Sequence, residues 1–145
     1  MEYITHSVEE TENLASKLAK KLKGIEVIAF FGGLGMGKTA FTRGLCKGLN
    51  YFDGVQSPTF SLVNQYNADY TVYHFDMYRI NTYDDLYSTG FFDYLDTGVL
   101  IIEWSENIVD ALPDASIIVR FERGDDENSR VITIEGESFD ENFSI

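Results

Sequence analysis

Residues 32–39 read GGLGMGKT, and Gly32, Gly37, Lys38 and Thr39 match the spacing G-x-x-x-x-G-K-[ST]. No other stretch of the 145 residues restricts the fold so strongly. The spacing works only where a strand runs into the loop and a helix runs out of it. The loop's N–H groups must curl round an anion while the helix adds its positive end. Both flanks comply. EVIAFF, residues 26–31, is a short apolar run of the kind a parallel sheet buries on both faces. Phe41, Leu45 and Leu49 then repeat at i, i+4 and i+8, which predicts a helix. The order strand, glycine loop, helix makes the loop a cradle for ATP. Gly33, Gly35, Met36, Gly37 and Ala40 offer backbone N–H groups, Lys38 reaches the β- and γ-phosphates, and the Thr39 hydroxyl is a ligand for Mg²⁺.

The rest of the chain supplies the frame. Ser7 with Glu10 fits a capping box, followed by the helical stripe Leu14, Leu18, Leu22. Lys20, Lys21 and Lys23 suit that helix's negative end, and Gly24 suits its stop. FSLVNQY and YTVYHFD predict two strands joined by a tight turn at residues 67–69. Thr82 and Asp85 predict a helix start, Gly90 a break, and GVLIIE, residues 98–103, another buried strand. A short helix over 106–112 precedes Pro113, and SIIVRFE with RVITIE predicts a β-hairpin about RGDDENS. The expected fold is α/β: one P-loop NTPase domain over 1–136, a mixed sheet with a parallel core and antiparallel hairpins, and helices on both faces. Residues 137–145 are expected to be an acidic, frayed tail.

Charge bears on partners. With 24 acids against 11 bases and a formal net charge of −13, the composition argues against a broad surface for phosphate backbone. A basic partner protein fits better, or the charge serves solubility alone. The single cysteine admits no internal disulfide and suits a reducing compartment. The start MEYITHSVEETENL lacks the basic and apolar regions of a signal peptide, and no apolar run approaches the ~20 residues that span a bilayer. The expected location is the cytoplasm.

A triphosphate site needs a carboxylate for the metal and a group to orient water. The strands VLIIE and TVYHFD deliver Glu103 and Asp76 at their C-terminal ends, where open α/β sheets bind ligands. Glu103 is the expected metal contact and Asp76 the water- or switch-positioning acid; with Lys38 they form the expected catalytic set. Period-2 alternation puts Val72, His74 and Asp76 on one face. His74 reads as a satisfied strand histidine rather than a proton shuttle, and Cys46 as a small core residue. Trp104 is either a core or rim aromatic or part of a nucleotide or partner surface. Arg43 and Arg79 are either charge stabilisers or surface ion-pair members.

Taken together, GGLGMGKTAFTRGL, SPTFSLVNQY, YHFDMYRI and IIEW resemble the TsaE family of small bacterial ATPases, in order and spacing, over residues 14–130. The resemblance implies a role in making N6-threonylcarbamoyladenosine (t6A) at position 37 of tRNAs that read ANN codons. It implies TsaD and TsaB as partners, which carry out the transfer and hold the tRNA, while ATP hydrolysis here supports repeated turnover. On matching positions it makes Lys38 and Thr39 the P-loop pair and Glu103 the second Mg²⁺ residue. It also marks Asp76 and Trp104 as important, Ser57, Pro58 and Thr59 as a switch-like segment, and Glu106 and Arg130 as nucleotide contacts. Two positions depart from the family: Ala40 stands where relatives often have a second threonine, and Ser105 where many have proline. A small-molecule kinase would need a lid-like arginine cluster, but the arginines are scattered. A guanine-nucleotide switch would need N-K-x-D, which is absent. The small-molecule P-loop kinase and a nucleotide-responsive binding module with negligible turnover remain the alternatives.

Overall fold

A computed structural model describes residues 1–33, 35–56, 58 and 62–136. Seven strands form one sheet: β1 Glu2–Thr5, β2 Val27–Phe31, β3 Val63–Asn67, β4 Thr71–Asp76, β5 Val99–Glu103, β6 Ile117–Arg123 and β7 Arg130–Glu135, in spatial order β1-β7-β6-β2-β5-β4-β3. β2 is central and parallel to both β5 and β6, and β4 is parallel to β5. The pairs β1–β7, β6–β7 and β3–β4 are antiparallel. This is the expected mixed sheet with a parallel core and antiparallel flanks.

The apolar run of β2 is explained by its two buried faces. Ile28 and Phe30 enter one core with Leu14 and Leu18 of α1 (Val8–Ala19) and Phe41 and Leu45 of α2 (Lys38–Gly48). Val27 enters the other with Leu86 of α3 (Tyr83–Ser88), Phe91 of α4 (Phe91–Tyr94) and Ile108 of a 3-10 helix, Ser105–Ala111. Helices therefore cover both faces. Thr82 and Asp85 form a complete capping box on α3, and Gly90 separates α3 from α4.

Two expectations are corrected. α1 stops at its cap, Lys20, because Lys21 and Leu22 donate to the carbonyls of Leu18 and Ala19, three residues back, and tighten the last turn. Leu22 is buried in the same core but lies outside the helix, and of the basic residues Lys17 rather than Lys20, Lys21 or Lys23 occupies the last turn. The Ser7 capping box is half formed: Ser7 Oγ accepts from the Glu10 N–H at 3.1 Å, but the Glu10 carboxylate accepts from His6 N–H. The short helix expected over 106–112 is present as a 3-10 helix whose bounds are one residue earlier, Ser105–Ala111. β1 was not expected at all. It is tied to β7 by the Met1 amino group on the Ile134 carbonyl, 2.9 Å, and by four paired residues. The start of FSLVNQY and the tail 137–145 lie outside the described residues. Among the described residues no helix is long and apolar enough to cross a membrane.

Candidate functional site

The glycine loop leaves β2 and enters α2 as its sequence requires. Gly32 has φ +140, and a Cβ there would lie 2.7 Å from the Phe121 carbonyl of β6. Gly37 caps α2 with φ 97 in the left-handed region, so the turn into the helix suits glycine alone. Above the loop lies a cavity of about 330 Å³ lined by Gly35, Gly37, Lys38, Thr39, Ala40, Glu103 and Arg130. The P-loop pair of α2, the β5 carboxylate and the β7 arginine thus converge on one space from three elements. Its remaining wall was not foreseen: Ser7, Val8 and Thr11 from the start of α1, and Asn128. Only Ser7 carried any signal in the sequence, and that signal was for a helix cap.

Lys38 is buried, and its ammonium donates to the Gly32 carbonyl at 2.9 Å. It also lies 5.1 Å from the Trp104 ring centre. Met36 packs against the α1–α2 core, so its side chain has a role beyond its backbone. Gly33 is exposed and is not among the residues lining the cavity. Arg130 donates to the carbonyls of Gly35 (3.2 Å), Glu127 (2.7 Å) and Ser129 (2.8 Å), fastening the β6–β7 hairpin to the loop. Its Nε is buried with no hydrogen-bond partner among the described residues. Glu106 is placed differently. Its carboxylate accepts from the Gly32 N–H at 3.2 Å, and it lines a separate groove of about 520 Å³ between α3 and the 3-10 helix.

Glu103 is 6% exposed and ends β5 opposite Asp76, the end of β4. Its Oε2 lies 2.7 Å from His74 Nε2. His74 has zero exposure and so is a satisfied strand histidine, but the group that satisfies it is the site's own carboxylate. The pairing arises because β4 and β5 run parallel with His74 beside Ile101, one pleat from Glu103. Behind His74, the Tyr66 hydroxyl is 3.2 Å from Nδ1; burial pushes that phenol above its ordinary range. Asp76 is outside the cavity wall and accepts from the Tyr78 N–H at 2.9 Å, fixing the turn after β4.

Trp104 is half-buried against the core under α3 and α4, with left-handed φ of 59 and its ring 5.0 Å from that of exposed Tyr78. Arg43 is an ion-pair member, 2.8 Å from Glu12 of α1, and Arg79 is exposed. Cys46 is wholly buried in the α1–α2 core. Pro58 is buried, whereas Ser57 and Thr59 lie outside the described residues.

The donor set can be tested against a metal. Among the described residues no group of three or more His, Cys, Asp or Glu could hold an ion. Mg²⁺ asks for less: it keeps several waters and takes one or two protein oxygens plus substrate phosphates. Thr39 and Glu103 on the wall of one cavity satisfy that demand.

Residues 5–132 match the family described as "Threonylcarbamoyl adenosine biosynthesis protein TsaE". The chain belongs to the TsaE family. It is similar to the TsaE protein of Rickettsia conorii, 40% identical over 134 residues, 89% of this chain and 74% of that protein. The Aquifex aeolicus TsaE is 43% identical over 108 residues, 72% of this chain and 77% of the relative. In three dimensions the chain resembles the crystal structure of Bacillus subtilis YdiB, with a TM-score of 0.73 and 31% identity, covering 94% of this chain and 84% of that one. The family assigns the chain to tRNA threonylcarbamoyladenosine biosynthesis.

Proposed function

We propose that the chain is a cytoplasmic, Mg²⁺-dependent ATPase that supports t6A formation at position 37 of ANN-reading tRNAs, working with TsaD and TsaB and meeting tRNA only through them. The observation that carries this reading is the cavity where Lys38, Thr39 and Glu103 converge in a TsaE-family fold. In it the loop N–H groups and the α2 N-terminus hold the phosphates of ATP, and Lys38 exchanges the Gly32 carbonyl for phosphate oxygen. Thr39 and Glu103 would hold Mg²⁺, which when bound would supply positive charge to offset that developing on the transferred group. The Arg130 Nε, buried at the cavity wall and unpartnered among the described residues, is a donor suited to the nucleotide. Ala40 contributes its backbone N–H, so the missing hydroxyl removes nothing from the cradle.

Asp76 acts by position. Its grip on the Tyr78 N–H holds the turn that carries Tyr78 against Trp104, so the acid supports that aromatic pair. The partner contact includes that pair and the segment Ser57, Pro58, Thr59. The chain's excess of acids favours a basic partner face.

Phosphate release from ATP, with and without TsaD–TsaB, tests the reading. Wild type is expected to turn over and to respond to the pair. Glu103→Ala is expected to keep nucleotide binding and lose about 100-fold or more in rate, the scale of a lost metal contact. Binding of nucleotide with no hydrolysis in any condition would instead favour the nucleotide-responsive module.

A further inference from the structure

Three side chains from three neighbouring strands lie in a diagonal line on the cavity side of the sheet: Glu103 on β5, His74 on β4 and Tyr66 on β3. Glu103 Oε2 meets His74 Nε2 at 2.7 Å, and His74 Nδ1 meets the Tyr66 hydroxyl at 3.2 Å. Tyr66 then reaches the backbone of Gln56, with its hydroxyl 2.9 Å from the carbonyl and 3.4 Å from the N–H. Gln56 is the residue immediately before Ser57. His74 is fully buried and Tyr66 is 5% exposed, so water does not short-circuit the line.

The proton count makes this line a two-position element. An ionised carboxylate accepts only, so His74 Nε2 carries the hydrogen that faces Glu103. Nδ1 of the neutral ring is then an acceptor and needs the Tyr66 proton. Tyr66 has one proton and a second acceptor in reach, the Gln56 carbonyl. That carbonyl also accepts from Asn64 Nδ2 at 3.0 Å, so it stays satisfied when the hydroxyl turns away. Whichever acceptor holds the Tyr66 proton, no backbone group of Gln56 is left buried and unpaired. Nδ1 is buried and loses its donor when the proton turns to Gln56, so the bond to His74 is the favoured arrangement, and a shift of the imidazole with Glu103 is what releases the hydroxyl to the Gln56 carbonyl.

We propose that His74 is the positioning residue of Glu103, and that His74 and Tyr66 relay the placement of that carboxylate to the Gln56 backbone at the entrance to residues 57–61. The relay rests on the nucleotide reading above and deepens it. A histidine hydrogen-bonded to a metal-binding group orients that group and tunes its affinity. Here the same bond continues through Tyr66 to the backbone of exposed Gln56, so occupancy of the cradle acquires a route to the protein surface. ATP can favour one arrangement only through a difference in contact, and the Glu103 carboxylate supplies that difference.

The test uses the full chain, Mg²⁺ and ATPγS. Three quantities are read: nucleotide affinity, the Mg²⁺ concentration for half-maximal binding, and amide hydrogen exchange in the peptide containing Gln56. In wild type, Mg–ATPγS is expected to alter exchange in that peptide. Tyr66→Phe keeps the ring and its packing on Tyr51, removes the hydroxyl, and is expected to abolish that change while nucleotide affinity stays at the wild-type value. His74→Ala is expected to raise the Mg²⁺ requirement about 10-fold or more, with His74→Gln, which restores an N–H donor, recovering part of it. Full nucleotide-dependent protection in Tyr66→Phe overturns the relay, and an unchanged Mg²⁺ requirement in a folded His74→Ala overturns the positioning role. Should His74→Ala not fold, His74→Gln and Tyr66→Phe decide. Wild type that binds no nucleotide refutes the function reading, whereas wild type that binds without any change at Gln56 refutes the relay alone.

Discussion

The Lys38 ammonium lies 5.1 Å from the centre of the Trp104 ring while it donates to the Gly32 carbonyl. Trp104 is the chain's single tryptophan, so its emission reports where Lys38 is. Binding of a triphosphate draws the cation toward phosphate and away from the ring face, where it gains little. The expected outcome is a saturable change in tryptophan emission on adding Mg–ATP. Lys38→Ala should remove most of that change and weaken binding about 10- to 100-fold, the value of a hydrogen bond to a charged group. A titration followed at the tryptophan band measures both; wild-type affinity in Lys38→Ala would refute the role of Lys38.

Glu12 of α1 holds Arg43 at 2.8 Å and Lys47 at 3.1 Å, both on α2. Burial pushes the Glu12 carboxyl upward, but the hydrogen bonds and charges of the two cations outweigh it and hold the group below its ordinary 4.5. A carboxyl lowered in the folded state adds stability above its unfolded value and loses it as pH falls through the folded one. Glu12→Gln should therefore melt below wild type at pH 7, by about 1 kcal/mol or less because both cations are partly exposed. The gap should close as pH falls below 4.5. Thermal melts of both proteins from pH 7 to pH 3 check the sign, and a gap that widens in acid would contradict it.

Cys46 has no exposure, and burial pushes its thiol up to about 12. At pH 8 only about one thiol in ten thousand is then ionised, and the thiolate is the reactive form. A disulfide reagent at pH 8 should leave the native chain untouched and label it at once in denaturant. Fast labelling of native protein would mean that the α1–α2 core opens readily.

The glycine loop and Glu103 were legible because their chemistry is contiguous: cradle and strand-end acid each sit within a few adjacent residues. The cavity's other wall was not. Ser7, Val8 and Thr11 reach the loop only because α1 crosses α2 closely, a contact between segments some thirty residues apart that no local pattern announces. The His74–Glu103 bond has the same origin, since it exists only through the parallel register of β4 on β5. β1 escaped notice because four residues, three of them not buried, leave too weak an alternation. Glu106 was placed at the nucleotide by resemblance, but its carboxylate accepts from the loop's Gly32 N–H and lines a different groove.

The close crossing itself makes the last prediction. A Cβ on Gly44 of α2 would lie 2.2 Å from the Glu12 carbonyl oxygen, 2.7 Å from the Glu12 Cα and 2.8 Å from the Ala15 Cβ. Two of those atoms are backbone, so no side chain can swing aside and α1 must move. Replacing glycine by alanine inside a helix gains about 1 kcal/mol in propensity, whereas overpacking a tight contact costs about 1–3 kcal/mol. Sterics should win, because the would-be contact is far below any distance a Cβ tolerates. Gly44→Ala should lower the melting temperature by about 2–4 °C for each net kcal/mol lost. It should also weaken nucleotide binding, since moving α1 withdraws Ser7, Val8 and Thr11 from the cavity wall. Gly54→Ala, whose Cβ would meet nothing within 4 Å among the described residues, serves as the control for stability. Equal melting of Gly44→Ala and wild type would show that the two helices have slack, and the cavity wall would then owe its position to something other than this crossing.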